Sequence, residues 1–370
     1  MKKLSSRGNF RIYTLVVLTA MAIGLSSVLA AESGGGKLVW QEIVAKAKTE
    51  GKVIVLGPPD ADVRNSLTEN FNKAFRREGI TLEYQAGNLS SMGPKLDAEL
   101  AQGRMSLDVG VTGTSLNIKH LLDALPQRLI LPEVTDLAKW KEKKFKWVDG
   151  EKQCCIQTSE WTFGYLLLNT SQLQPTAINS WKDLLKPEYK GKIAFHDPTS
   201  PGAGQEIASY LLVKLGADYV SRLFRDQDVT TTRNYEQVAE WIARGKYPIG
   251  LAVVARHIEK FKQEGFPLKT LSLPDAPGTK SGGFSSIVLI KGAPHPNAAT
   301  VFINWVLTKE GQEALLRPQL YPSRRTDTPT DYVPDYTLPK PGVEYLDTYT
   351  QDWHENRRKV QDEVIKAIGR

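Results

Sequence analysis

Cysteine is nearly missing from this chain. Its 370 residues hold two, Cys154 and Cys155, side by side. Neighbouring cysteines pair only through a strained small ring, so a disulfide framework is excluded, and two buried reduced thiols or a strained vicinal disulfide with no role are the ordinary expectations. No CxxC spacing occurs, and the five histidines are scattered without metal-ligand spacing. Catalytic signatures are equally thin: there is no HExxH and no GxSxG elbow. Gly278-Thr279-Lys280-Ser281 lacks the glycine order of a phosphate loop, and Gly202-Ala203-Gly204 has Ile207 where a dinucleotide fingerprint needs its third glycine. Enzyme chemistry is therefore not expected, and neither is a cofactor. Long apolar runs are also lacking. The one candidate, Ile12 to Leu25, is shorter than the ~20 residues that span a bilayer comfortably.

That run follows a basic stretch with Lys2, Lys3, Arg7 and Arg11 and precedes the small residues Leu29-Ala30-Ala31. The order is that of a secretory signal peptide cleaved near Ala30-Ala31. No cysteine follows the apolar run, so no lipid attachment is expected. The formal net charge of +7 falls to +3 without residues 1–31, which carry four basic and no acidic residues. So small an excess over 339 residues does not argue for nucleic acid. A hydrophobic share of 41% with eight tryptophans argues against disorder, and the length is enough for two cores.

Beyond the leader, short apolar runs alternate with helical periodicity. Trp40, Ile43, Val44 and Ala47 predict a helix over 39–50 that Gly51 ends. Val53–Leu56, Ile80–Tyr84 and Leu107–Val111 read as strands, separated by helices at Val63–Phe75 and Pro94–Ala101. Further strands are expected at Tyr165–Leu168, Lys192–Phe195, Ile249–Val254, Leu268–Leu273 and Ser286–Lys291. Helices are expected at Gln205–Leu215, Tyr235–Ala243, 255–264, Ala298–Leu307 and Asp352–Ile368. Residues 326–342, rich in Thr, Asp and Pro, read as an extended surface segment. The alternation implies α/β architecture with parallel strands.

Three loops stand out after predicted strands: Asn88–Ser91, Thr112–Ser115 and Thr199–Gly204. In open α/β sheets, such loops gather at the carboxyl ends of the strands, where ligands bind. Helix starts there favour anions and polar oxygens. Each loop alone reads as an ordinary N-cap; three together in an exported chain point to a binding cleft.

From Ser180 to Pro198 the chain reads SWKDLLKPEYKGKIAFHDP. This stretch resembles bacterial extracellular solute-binding proteins of ABC importers, in the branch that contains the periplasmic ferric-ion-binding proteins. Lys52–Val55, Asp108-Val109, Gly245–Leu251, Ala293–Ala299 with Phe302, Trp305, Leu307 and Glu310–Gln312, and Tyr321–Arg324 are similar to family segments in the same order. The resemblance implies a two-lobed type II periplasmic-binding-protein fold with a hinge and an interlobe ligand cleft. It divides the chain into a leader (1–31), a first lobe (32–160), a second lobe (161–282), a return to the first (283–325), and an extended segment with a C-terminal helix (326–370). It also implies a periplasmic monomer that hands a small-molecule ligand to an inner-membrane permease.

One departure bears on the ligand. Iron-binding members carry adjacent tyrosines soon after the strand that corresponds to Gly245–Gly250, and this chain has no Tyr-Tyr anywhere. Arg256 or His257 stands close to that place, and a guanidinium there would repel bare Fe³⁺ and attract a carboxylate or phosphate-like group. The expected ligand is therefore a small anionic or oxygen-rich solute. Thr114, Ser200, Arg256 and Tyr321 are the first candidates to hold it, with Ser90 and Asn234 behind them. Ferric iron or a ferric chelate is the alternative, and an exported enzyme or sensor on the same fold stands further off.

Overall fold

The structure is a computed structural model, and it describes residues 38–113 and 116–369, apart from the side chains of Ser90 and Glu151. The leader lies outside the described residues. Among the described residues, no helix is long and apolar enough to cross a membrane.

Two large sheets carry the fold. The first has seven strands. Along its main path they run Thr81–Ala86, Lys52–Gly57, Val109–Thr112, Ser286–Ile290, Cys155–Gln157 and Lys146–Trp147, with Leu122–Asp123 also paired to Ser286–Ile290. The second has five, in the order Thr230–Thr232, Ile193–His196, Ile249–Leu251, Leu166–Asn169 and Leu268–Leu271. Each sheet is parallel where strand–helix–strand units build it: Lys52–Gly57 runs parallel to both neighbours, and so does Ile193–His196. Antiparallel pairs enter where the chain returns, as at Ser286–Ile290 and Leu166–Asn169. The expected parallel sheets are thus mixed ones, because a chain that leaves a lobe and comes back adds its strand from the opposite direction.

A small third sheet joins strands far apart in the chain. Trp161–Phe163 and Thr279–Ser281 pair antiparallel, and Leu346–Asp347 joins Thr279–Ser281 in parallel. These strands are only two or three residues long, so alternation in the sequence gives no signal for them.

The helices form where the apolar spacing predicts. Helix Ala61–Ala74 buries Val63, Leu67 and Phe71, and Phe71 meets Phe302 and Trp305 from helix Pro296–Val306. Tyr235–Ala243 matches its predicted bounds. The helix expected at Gln205–Leu215 is longer, Ala203–Arg225, and is broken at Gly216, whose φ of 89° only glycine adopts readily. Trp181 of the SWKDLL stretch is fully buried and donates its indole N–H to the Ala276 carbonyl at 2.8 Å.

Cys154 and Cys155 are both buried and unbonded to each other. Burial and the neighbouring Asp149 carboxylate push the Cys154 thiol well up, which keeps it protonated. The segment 326–342 differs from its expectation. It has little regular structure, yet Thr337 is fully buried, Tyr336 stacks edge-on against Tyr165 at 4.8 Å, and its hydroxyl donates to Glu259 at 2.8 Å. A polar composition predicts exposure only when nothing packs over it, and here aromatic anchors tie the segment down.

Candidate functional site

The carboxyl ends of the parallel strands point at one another across a gap. Asn88 and Ser91 follow Thr81–Ala86, Gly113 follows Val109–Thr112, Pro201 to Ala203 follow Ile193–His196, Tyr235 follows Thr230–Thr232, and Arg256 follows Ile249–Leu251. All of them line one cavity of about 610 Å³. That size is typical of a site for an organic small molecule, and far exceeds a bare ion. All three loops singled out in the sequence contribute residues to it.

The second-sheet side is built around the start of helix Ala203–Arg225. Gly202, at φ 134°, turns the chain, and Gly204 lets the helix approach the end of strand Ile193–His196. A Cβ on Gly204 would sit 2.0 Å from the His196 carbonyl oxygen. The glycines serve this close approach and not a dinucleotide. The helix's first N–H groups are already engaged: Ala203 donates to the Tyr235 hydroxyl, and Gly204 to His196 Nδ1 at 3.1 Å. Tyr235 also stacks on the His196 ring at 4.1 Å. Burial lowers the His196 pKa to about 4, so the imidazole is neutral and can accept that bond.

Arg256 bridges the two sides. Its Nε lies 2.9 Å from Oδ2 of Asp60, the residue that caps helix Ala61–Ala74. The contact is an ion pair by distance, but the Nε–H is not aligned on that oxygen and makes no hydrogen bond. Tyr321 is buried and stacks on Trp161 at 4.7 Å, giving the cavity an aromatic wall. Burial pushes the Tyr321 phenol well up, against the opposing pull of Arg256, and so keeps it neutral.

Glu206 is one of three acidic residues on the lining, with Glu355 and Asp362. The Glu206 carboxylate accepts from the hydroxyls of Thr279 (2.8 Å), Thr348 (3.1 Å) and Ser281 (3.2 Å). Burial raises its pKa, while those hydroxyls and Arg357 pull the other way. Four further polar atoms on the lining are buried and have no hydrogen-bond partner: Trp161 Nε1, Ser209 Oγ, Arg256 Nε and His354 Nε2. An unpaired buried polar group costs about 1–3 kcal/mol, so these four are atoms that a polar ligand in the cavity can satisfy.

The sequence-derived candidates meet different fates. Arg256 and Tyr321 line the cavity. Thr114 lies outside the described residues, and so does the Ser90 side chain. Ser200 is turned towards Asp197, with Oγ 3.4 Å from Oδ2, and its neighbour Pro201 lines the cavity instead. Asn234 caps helix Tyr235–Ala243, accepting from Glu236 and Gln237, while the next residue, Tyr235, reaches the cavity. Glu206, Ser209, Trp161, Tyr349, His354 and Arg357 were not foreseen. Only Glu206 had a signal, its place just inside the helix after the glycine loop. Among the described residues, no three His, Cys, Asp or Glu side chains are grouped to hold a metal.

Residues 66–337 match the family model described as bacterial extracellular solute-binding protein. The chain belongs to that family. Its members bind solutes and are not enzymes, in keeping with the thin catalytic signatures. Among solved structures, this solute-binding protein is similar to the periplasmic binding protein AfuA of Actinobacillus pleuropneumoniae. The TM-score is 0.66 at 19% identity, covering 86% of this chain and 98% of that one. It is also similar to iron-bound HitA of Pseudomonas aeruginosa (TM-score 0.63, 17% identity, 85% and 99% covered) and to a ferric binding protein of Campylobacter jejuni (0.63, 14%, 85% and 98%). Identities this low carry the two-lobed fold and not the ligand. A Haemophilus influenzae protein is 30% identical over 160 residues, a match that spans 40% of this chain and 43% of that protein.

Proposed function

We propose that this protein is the periplasmic binding component of an ABC importer, and that it captures a small anionic, oxygen-rich solute between its lobes for delivery to a membrane permease. The observation that carries the anionic part is Arg256. It is a half-buried guanidinium at the carboxyl end of a parallel strand, with an Nε–H that no protein acceptor takes, in a cavity with three other unpaired polar atoms. A fixed guanidinium binds carboxylates and phosphates through paired N–H donors. The sugar phosphate held by the similar AfuA fits this reading. The signal-peptide order of residues 1–31 supports a place outside the cytoplasm. The lobes divide where the chain crosses at Trp161–Phe163 and returns at Thr279–Ser281, and closure about those strands brings Asp60 and Arg256 together.

A thermal-shift panel of organic anions, phosphate esters and metal ions on the full mature chain tests the reading. The expected result is a raised melting temperature with an anion, because a ligand bound only by the folded state stabilises it. A panel in which cations or neutral solutes stabilise and no anion does would sink it.

Ferric iron keeps one supporting observation: the phenols of Tyr235, Tyr321 and Tyr349 all line the cavity. Burial pushes all three towards the neutral form, and Arg256 adds positive charge beside Tyr321 and Tyr235. The expectation is that Fe³⁺ produces no visible tyrosinate charge-transfer band. Appearance of that band would reverse the order of the two readings.

A further inference from the structure

The family match ends at residue 337, and the chain continues for another thirty-odd residues that fold back onto the cleft. Leu346–Asp347 adds a strand to the small three-stranded sheet. Thr348 then donates to Glu206, and the Tyr349 hydroxyl donates to the Gly283 carbonyl at 2.7 Å. Thr350 caps helix Gln351–Ile368, which lies along helix Ala203–Arg225; Arg357 donates to the Gln205 side-chain carbonyl there. The result is a third wall. Trp353, His354 and Arg357 line the same cavity as Arg256 and Tyr321.

We propose that this C-terminal helix completes the binding site, with His354 and Arg357 holding the body of a hydroxylated organic anion whose charged group sits at Arg256. This rests on the reading of the cleft as an anion site and narrows it to a class of ligand. Two observations carry it. Nε2 of His354 is buried on the lining without a hydrogen-bond partner. Arg357 offers five N–H donors in a fixed fork, and one of its nitrogens is directed at Gln205. The cleft volume of about 610 Å³ has room for a ligand that reaches from one guanidinium wall to the other. Burial lowers the His354 pKa to about 3, so its ring is a neutral partner suited to a hydroxyl and not to a second anionic charge.

The test uses the full mature chain with three probes: inorganic phosphate, a hexose monophosphate and citrate. Affinities are measured by calorimetry for wild type, Arg256→Ala, Arg357→Gln, Arg357→Lys and His354→Phe. At least one organic probe should bind more tightly than inorganic phosphate. Arg357→Gln and His354→Phe should each weaken that probe about tenfold, as expected for losing one strong hydrogen bond, and leave inorganic phosphate unchanged. Arg357→Lys, which keeps the charge on a milder change, should weaken it less. The inference is overturned if wild type binds inorganic phosphate as well as the organic probes, or if the Arg357 and His354 variants bind all probes as wild type does. It is equally overturned if those variants lose affinity for all probes alike. If no probe binds wild type, the anion reading itself fails. If the probes bind but only Arg256→Ala matters, that reading stands and the role of the helix falls.

Discussion

Arg256→Ala is the substitution on which the functional reading turns. It removes a guanidinium that is 18% exposed, faces the cavity, and lies 2.9 Å from Asp60 across the cleft. A hydrogen bond to a charged group contributes about 1.5–3 kcal/mol, which corresponds to roughly a 10- to 150-fold loss of affinity. The loss should fall on binding far more than on folding. Asp60 keeps its bonds from the backbone N–H groups of Asp62 and Val63, so it is not left unpaired. The free protein should lose no more than about 1 kcal/mol, the scale of a partly exposed ion pair. Arg256→Lys keeps the charge and gives up the planar fork, so its loss should lie between wild type and alanine. Calorimetry with the anion that best stabilises wild type measures the first effect, and a thermal melt of the unliganded protein measures the second. Affinity within about twofold of wild type in Arg256→Ala, with the melt unchanged, would refute the argument, since a loss that small is under ~0.4 kcal/mol.

Acidification should destabilise the protein through its buried histidines. Burial lowers His196 and His257 from 6.5 to about 4, so below pH 6.5 the unfolded chain takes up protons that the folded one refuses. Stability is therefore full above that pH and falls towards pH 4, by about 2 kcal/mol per histidine at pH 5. Melts from pH 7 to 4.5 check this, and His257→Gln should flatten the slope. Trp181→Ala should cost about 3–5 kcal/mol in urea unfolding, because it empties a fully buried site and strips the Ala276 carbonyl of its donor. Gly204→Ala should weaken both stability and ligand binding, as a Cβ there collides with the His196 backbone at the cavity's edge. A Gly204→Ala protein with wild-type melting and affinity would show that the helix start can shift freely.

The helices and the strands of four or more residues were legible because burial imposes a period on sequence. Val63, Leu67 and Phe71 announce a helix before any fold is known, and so do Ala298, Val301, Phe302 and Trp305. The short crossing strands Trp161–Phe163 and Thr279–Ser281 carry no such period, and only pairing with each other defines them. The segment 326–342 read as surface because composition reports polarity but not the tyrosine that anchors it.

For the site, the sequence determined the class and the neighbourhood. The SWKDLLKPEYKGKI stretch, the glycine loop before Ala203 and the arginine in place of paired tyrosines were enough to reach a solute-binding family and to propose an anionic ligand. Tertiary structure decided which side chains meet. Trp161, Ser209, Arg256 and His354 are spread over nearly two hundred residues and share one cavity. Asn234 and Ser200 were chosen for chemistry that a helix cap and a neighbouring aspartate already use. Local sequence fixes what each residue can donate or accept, and only the folding of two lobes and a returning helix fixes what it faces.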